Sequence, residues 1–292
     1  MRIPARLVTN LPRYYGDRGR AWLADAPRLV ANRLAEWALT VDGPPMCGEV
    51  ALVIPVRGPD GPAALKLQID DPEHPGEAAA LRTWNGDGAV RLLREHDGAL
   101  LLERLDSGRD LRGVHDGQAA RIIAGLLLRL NAHRAPAGVR SLADVTARML
   151  ADVPAAAARL TDPAAGKLLL TWADAVREVA GDCGDRLLHW DLHHQNVLAG
   201  DSGDWVAIDP KPLAGDPAFE LLPVLQNQWP ADGDPRRAVR RRFEVMVEVM
   251  GLDRERAVRW TLGRTLQNSL WTVEDGGHAL EAEQVLVAEA LG

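Results

Sequence analysis

Residues 189–198 read HWDLHHQNVL, and Asp209 in the following AIDP (207–210) stands thirteen positions after Asn196. Three histidines, an aspartate and an asparagine fall within eight residues, so the stretch is either a metal-ligand cluster, a catalytic loop or a dense polar loop. As a zinc site it is awkward. His189 and Asp191 would need an extended strand, His193 and His194 would have to turn back to the same point, and no further histidine follows at a familiar spacing. As His-x-Asp-x4-Asn followed by Ile-Asp, every residue type has a use. Transfer of a γ-phosphoryl group to a hydroxyl needs a carboxylate to orient the hydroxyl and accept its proton, and hard oxygen ligands for Mg2+. Asp191 fits the first role. Asn196 and Asp209, the latter held at the end of the strand-like WVAID, fit the second.

Outward from this loop, residues 186–209 form a strand-like island in an otherwise helical half. DGQAARIIAGLLLRLNAH, beginning at Asp116, has the spacing of an amphipathic helix, and helical patterns continue to Gly292. The first half is mixed. DRGRAWLADAPRLVANRLAEWAL spaces Trp22, Leu29, Leu34 and Trp37 helically, with a break expected at Asp25-Ala-Pro. EVALVIPVR and AALKLQI flank the turn GPDGP as a β-hairpin. HPGEAAALRTW predicts a helix with Pro75 near its start. AVRLLREHDGALLLERL predicts a second hairpin turning on Asp97-Gly98. The fold class expected is α+β in two lobes: residues 1–105 with a small β-sheet and a helix, and 106–292 mainly helical.

Composition narrows the class. A chain of 292 residues, 47% hydrophobic, is globular and long enough for two cores. Its net charge of −7 argues against nucleic acid or an anionic membrane as partner and suits a cationic small molecule. Cys47 and Cys183 show neither metal spacing nor a disulfide framework, no signal-like apolar stretch opens the chain, and a cytoplasmic location is expected. Of 34 basic residues only Lys66, Lys167 and Lys211 are lysines. An ammonium is a compact point charge where the guanidinium is a planar fork, so these three positions stand out.

The block His189-Trp190-Asp191-Leu192-His193-x-x-Asn196 with Ile208-Asp209-Pro210 resembles the aminoglycoside phosphotransferase family, which has a kinase-like fold. AIDPKPLAGDPAFELLPVLQNQW, together with DRGRAWLADAPRLV and AALKLQI…EAAALRTW…GALLLERL, is similar to its streptomycin 6-kinase and hydroxyurea phosphotransferase subgroup. The resemblance runs from about residue 10 to about residue 230. It implies a two-lobed protein-kinase-like fold with ATP and Mg2+ as cofactors, a nucleotide-binding first lobe and a catalytic second lobe. Asp191 is then the catalytic base, with Asn196 and Asp209 as metal ligands. Lys66 would pair with the ATP phosphates, Glu77 would hold that lysine, and backbone groups from Glu103 to Leu105 would bind adenine. One departure is plain: GPPMCGEVALVIP carries only Gly43 and Gly48 where a glycine-rich phosphate loop is usual.

Other residues near the motif have plainer expected roles. His189 braces the loop. Of His193 and His194, one approaches the phosphates and the other is solvated. Asp216 accepts backbone N–H groups of the loop, Glu220 begins a helix, and Trp190 and Trp205 pack. Lys211 either neutralises phosphate charge or faces solvent, and Glu274 and Asp275 are candidates for the acceptor site. The function expected is phosphorylation of a hydroxyl on a streptomycin-type aminoglycoside. The alternatives are a kinase of an amino sugar, choline or homoserine, a nucleotide-binding regulator without turnover, and a metal-dependent hydrolase. Oligomeric state is not legible, with a monomer favoured.

Overall fold

The computed structural model describes residues 2–69, 76–200, 203–229 and 233–292. The chain divides into two compact units, Met1–Glu73 with Val90–Asp106, and His74–Ala89 with Ser107–Gly292.

The smaller unit is an antiparallel sheet with one long helix. Helix α1 (Ala5–Glu36) is broken at Gly16, where φ 54° and ψ −127° lie outside the helical region. The break expected at Asp25-Ala-Pro is therefore misplaced. Pro27 keeps an ordinary helical φ and forfeits only one N–H donor, whereas the backbone at Gly16 takes a conformation that a Cβ would strain. The strands β1 (Thr40–Val41), β2 (Met46–Cys47), β3 (Ala51–Gly58), β4 (Gly61–Gln68), β5 (Leu92–His96) and β6 (Ala99–Glu103) pair in the order β1-β3-β4-β6-β5, with β2 also on β3. Both expected hairpins form: Gly58 pairs with Gly61 across the first. In the second, Asp97 and Gly98 turn with φ 46° and 72°, the left-handed pair that a two-residue hairpin needs. Leu52, Ile54, Val56, Leu65 and Leu67 bury one core against Leu7, Leu11 and Val30 of α1 and Trp37 just after it.

The larger unit opens with α2 (Glu77–Trp84) and continues through β7 (Asp106–Asp110), α3 (Asp116–Leu130), β8 (Arg140–Ser141), α4 (Leu142–Arg159) and α5 (Pro163–Val179). The expected strand island follows as β9 (Arg186–Leu188), β10 (Val197–Ala199) and β11 (Trp205–Ala207), then β12 (Leu213–Gly215). Helices α6 (Leu222–Gln226), α7 (Pro235–Met250), α8 (Arg254–Glu274) and α9 (Ala282–Leu291) complete it. Pro75, expected at the start of α2, lies outside the described residues. Ser141, Asp162, Asp234 and Asp253 each accept a first-turn N–H, capping α4, α5, α7 and α8. Helix α8 packs on α4 and α5, and α3 on α7. Two short sheets, β11-β10-β7 and β8-β12-β9, carry the loop chemistry. Among the described residues no helix is long and apolar enough to cross a membrane.

Candidate functional site

Between β9 and β10 the chain must leave a buried strand, present one carboxylate outward and return. Trp190 achieves this at φ 66°, a region costly for a bulky side chain and tolerated where the surroundings over-determine it. Those surroundings begin with Glu220, 1% exposed. Its Oε1 accepts the His189 N–H and its Oε2 the Trp190 N–H, both at 2.8 Å, and Asn131 Nδ2 donates to Oε1 at 2.9 Å. The loop is thus hung from one buried carboxyl. Burial pushes that carboxyl up to about 7, against the three donors that favour its charged form.

Asp216 does something else. It caps the short 3-10 turn Pro217–Glu220 by accepting from Ala218 N at 2.8 Å, and its Oδ2 pairs with Arg256 Nε at 2.5 Å. The expectation that Asp216 receives the loop amides is corrected. The turn that Asp216 caps carries Glu220, four residues on, under the loop. Likewise Glu220 does not open a helix for its dipole.

His189 is wholly buried, and its Nε2 donates to the Ile208 carbonyl at 3.0 Å. Its Nδ1 faces the Asp191 N–H at 3.4 Å, and its ring stacks on Trp84 with centroids 6.3 Å apart. Acceptance at Nδ1 requires the neutral ring. Burial enforces that state by pulling its pKa down to about 4. This bond ties the loop to the strand end that carries Asp209. A second tie is Ile208 N to Asn196 O at 2.9 Å, extending the ladder in which Val197 faces Ala207. Asn196 and Asp209 are thereby brought side by side, and Asp209 turns at φ 58°. Asn196 Nδ2 donates to the Asp191 carbonyl at 2.9 Å, which leaves the amide oxygen as the end that can meet a cation.

An amide oxygen and a carboxylate on adjoining backbone are the hard donors Mg2+ takes, so the residues fit that ion. His189 is engaged by the Ile208 carbonyl. His193 Nδ1 accepts from Gln195 N at 3.2 Å, and His194 is buried, with a pKa drawn down to about 4 by burial and then by Arg242. His194 is thus not the solvated histidine, and His193 is half-buried. Among the described residues no three His, Cys, Asp or Glu side chains converge as a metal cluster.

The Asp191 carboxylate is part-exposed, and Lys211 Nζ lies 2.8 Å from its Oδ2. Behind the loop stands Arg264 of α8, which no sequence pattern singled out. Its guanidinium lies 5.1 Å from the Trp190 ring centre and 5.3 Å from that of Trp271, and Nη2 reaches the Trp190 carbonyl at 3.4 Å. Burial lowers it to about 10, opposed by the charges of Asp191 and Glu220, so it remains a cation. The available signal was its place in α8, four residues after Trp260 and seven before Trp271, on a buried face.

Trp271 carries the site outward. Its ring lies 6.2 Å from that of Trp190, and it lines an open hollow with Gln226, Asn268, Asp275, Glu281 and Gln284. Gln284 is buried; its Nε2 donates to Gln226 Oε1 at 2.8 Å, while its own Oε1 has no partner among the described residues. A buried acceptor without a donor is rare enough to mark a place for one. Asp275 therefore belongs to this hollow, while Glu274 pairs with Arg148 at 3.5 Å.

In the smaller unit Lys66 sits mid-strand in β4, facing Val53 and Leu100, and is only 4% exposed. Glu77, the first residue of α2 in the larger unit, is 7% exposed. Glu103 ends β6; its N–H bonds the Arg91 carbonyl at 3.0 Å and its Oε1 accepts the Arg91 N–H at 2.7 Å. Leu105 follows, half-buried, outside the strand. Gly48 closes a tight β2–β3 turn through its N–H on the Ala51 carbonyl at 3.0 Å, in place of a glycine-rich loop.

Residues 36–276 match the family described as aminoglycoside/hydroxyurea antibiotic resistance kinase. A streptomycin 6-kinase of Streptomyces glaucescens is 50% identical, over 99% of this chain and 96% of its own. A hydroxyurea phosphotransferase of Kitasatospora aureofaciens is 54% identical, over 99% and 85%. Among solved structures, the aminoglycoside phosphotransferase APH(4)-Ia aligns with a TM-score of 0.58 at 15% identity, covering 91% of this chain and 98% of its own. At that identity the likeness concerns the fold alone.

Proposed function

The chain belongs to the aminoglycoside/hydroxyurea antibiotic resistance kinase family, and from that premise we propose that it transfers the γ-phosphoryl group of ATP to a hydroxyl of a streptomycin-type aminoglycoside in the cytoplasm. The observation that carries this reading is the Asp191 loop. A carboxylate is held outward by a buried brace, beside two oxygen donors for a metal, and the Trp190 of its loop meets Trp271, which lines a polar hollow. Asp191 orients the acceptor hydroxyl and takes its proton. Asn196 and Asp209 hold Mg2+, which when bound neutralises phosphate charge and fixes the phosphates' geometry. Lys66 and Glu77 serve the nucleotide phosphates. Adenine is read by main-chain groups at Glu103 to Leu105; the Glu103 N–H being engaged by Arg91, its donor comes from beyond it. The hollow suits a cationic, donor-rich acceptor: Trp271 offers a ring face, Asp275 and Glu281 negative charge, and Gln284 an unpaired oxygen.

A second reading is phosphorylation of hydroxyurea, since the relative so named is 54% identical. Hydroxyurea is small and neutral and offers the hollow's carboxylates no positive charge to pair with. ATP consumption with Mg2+ across streptomycin, other aminoglycosides, hydroxyurea, choline, homoserine and amino sugars decides between them, with Asp191→Ala as blank. Turnover on streptomycin that Asp191→Ala reduces about a thousandfold or more, with Mg·ATP still bound, is the expected outcome. Turnover only on hydroxyurea or a metabolite refutes the aminoglycoside reading, and full activity in Asp191→Ala removes Asp191 from the mechanism.

A further inference from the structure

The ion pair at the Asp191 carboxylate bears on how the proton is taken. An ammonium 2.8 Å from Oδ2 engages that oxygen and weakens the carboxylate as a base while the pair holds. Building on the phosphotransferase reading above, we propose that Lys211 is a catalytic residue of the transfer. Its ammonium pairs with Asp191 and turns to the transferring phosphoryl group when nucleotide and acceptor are in place.

Three observations carry this. The first is anchorage. Lys211 N donates to the His189 carbonyl at 3.0 Å, directly after the left-handed Asp209 and the rigid Pro210. Its Cα is therefore fixed beside the loop, within about 7 Å of the Asp209 Cα by chain geometry, while its four-carbon stem stays mobile. The second is exposure. The Lys211 side chain is 46% exposed and that of Asp191 23%, so the pair is held weakly and opens readily. Bracing of the loop is already supplied from the buried side by Glu220 and Arg264. The third is residue choice. A chain that writes arginine at 31 of its 34 basic positions has a lysine here. A guanidinium would lock both carboxylate oxygens in a fork, whereas an ammonium passes between a carboxylate and a phosphoryl oxygen by rotation about its stem.

In the transfer, an oxygen lone pair of the acceptor hydroxyl forms the new bond to the γ-phosphorus. The bond from that phosphorus to the β–γ bridging oxygen breaks, and its electron pair leaves with ADP. The hydroxyl proton passes to the freed Asp191 oxygen. Lys211 stays protonated throughout and balances charge on the equatorial oxygens of the moving group, so nothing is oxidised or reduced.

The test uses the full chain as wild type, Lys211→Met and Lys211→Arg, with melting temperatures to establish folding. Three quantities are measured: kcat on the acceptor found active, the affinity for Mg·AMP-PNP, and the affinity for ADP–aluminium fluoride with acceptor bound, which imitates the moving phosphoryl. The expected result for Lys211→Met is a kcat lower by about 100- to 1000-fold. Its AMP-PNP affinity should stay within about threefold while ADP–aluminium fluoride affinity falls roughly in step with kcat. Lys211→Arg should fold and fail to restore kcat. A Lys211→Met enzyme within about threefold of wild-type kcat overturns the role of Lys211 alone. Equal losses for AMP-PNP and aluminium fluoride overturn it too, since the lysine then serves ground-state binding. A wild type silent on every acceptor while binding AMP-PNP overturns the phosphotransferase reading, and the role of Lys211 with it.

Discussion

Glu220 and His189 are neighbours in one small polar cluster, and their protonation preferences oppose each other. Both oxygens of Glu220 accept, so Glu220→Gln must turn its NH2 towards the N–H of His189 or Trp190 or towards Asn131 Nδ2. A buried donor facing a donor costs about 1–3 kcal/mol. The loop should shift, with kcat on the active acceptor falling by roughly one to two orders of magnitude while Mg·AMP-PNP affinity holds. Steady-state kinetics beside a binding isotherm checks this, and an unchanged kcat would contradict the brace. The pH dependence follows from the same pair. His189 has a folded-state value near 4, below its ordinary 6.5, so its contribution is complete above about pH 6.5 and is lost as pH falls through 4. Glu220 is raised to about 7 from 4.5, so its contribution is complete below about pH 4.5 and is lost as pH rises through 7. Between pH 4.5 and 6.5 the two offset each other. Glu220→Gln should therefore lose stability more steeply than wild type on acidification from pH 6.5 to 4.5, by roughly 1 kcal/mol per pH unit, measured by urea unfolding. Parallel pH profiles for the two proteins would refute the coupling. At this scale the sequence showed which residue types converge on the loop and not which carboxyl reaches it. Asp216 and Glu220 are both acidic and four apart, and only the direction of the turn between them separates their roles.

Turns distinguish elements whose geometry is written locally from those written by distant partners. Gly98 closes the β5–β6 hairpin at φ 72° with nothing within 4 Å of where a Cβ would stand. Gly98→Ala should cost only the conformational penalty, about 1 kcal/mol. Gly184, leading into β9 at φ 71°, differs: a Cβ there would lie 2.9 Å from the Gly215 carbonyl oxygen and 3.0 Å from Asp216 N. Backbone on both sides cannot yield cheaply, so Gly184→Ala should cost about 3 kcal/mol or more, and part of that loss should appear as reduced kcat. Thermal unfolding of the two variants compares them directly, and equal melting temperatures would mean that β12 gives way more easily than its pairing suggests. The same distinction explains what could be read beforehand. Asp97-Gly98, the GPDGP turn and the apolar spacing of α3 are local signals, and each predicted its element. Strands β8 and β12 are two and three residues long and exist because Leu213 faces Arg140 and Leu188, which no local pattern states. The Gly16 break escaped notice for a related reason. Proline looked like the stronger breaker, yet at Gly19 a Cβ would stand 2.1 Å from the Leu11 carbonyl oxygen, a closeness set by packing across the break.

At the scale of the whole molecule, 41 acidic against 34 basic residues leave a charge of −7, and the hollow lined by Trp271 adds Asp275 and Glu281 to that background. A streptomycin-type acceptor brings guanidinium groups, so its encounter with the enzyme is favoured by the general field and by these two carboxylates. The two contributions separate experimentally because salt screens them unequally. The field acts over distances comparable to the Debye length, about 10 Å at 0.1 M and about 3 Å at 1 M, whereas contacts within the hollow are closer than either. Raising ionic strength from about 0.05 to 0.5 M should therefore raise KM for the aminoglycoside several-fold with kcat nearly constant. KM for neutral hydroxyurea, if it is turned over at all, should not move. Replacing Asp275 with Asn and Glu281 with Gln together should raise KM by roughly tenfold at low salt, and the salt dependence that remains measures the general field alone. A double variant with wild-type KM would place the acceptor's cations outside this hollow while leaving Asp191 and its brace untouched. A double variant that loses kcat instead would mean that the two carboxylates align the hydroxyl with Asp191, and that binding and orientation are served by the same contacts.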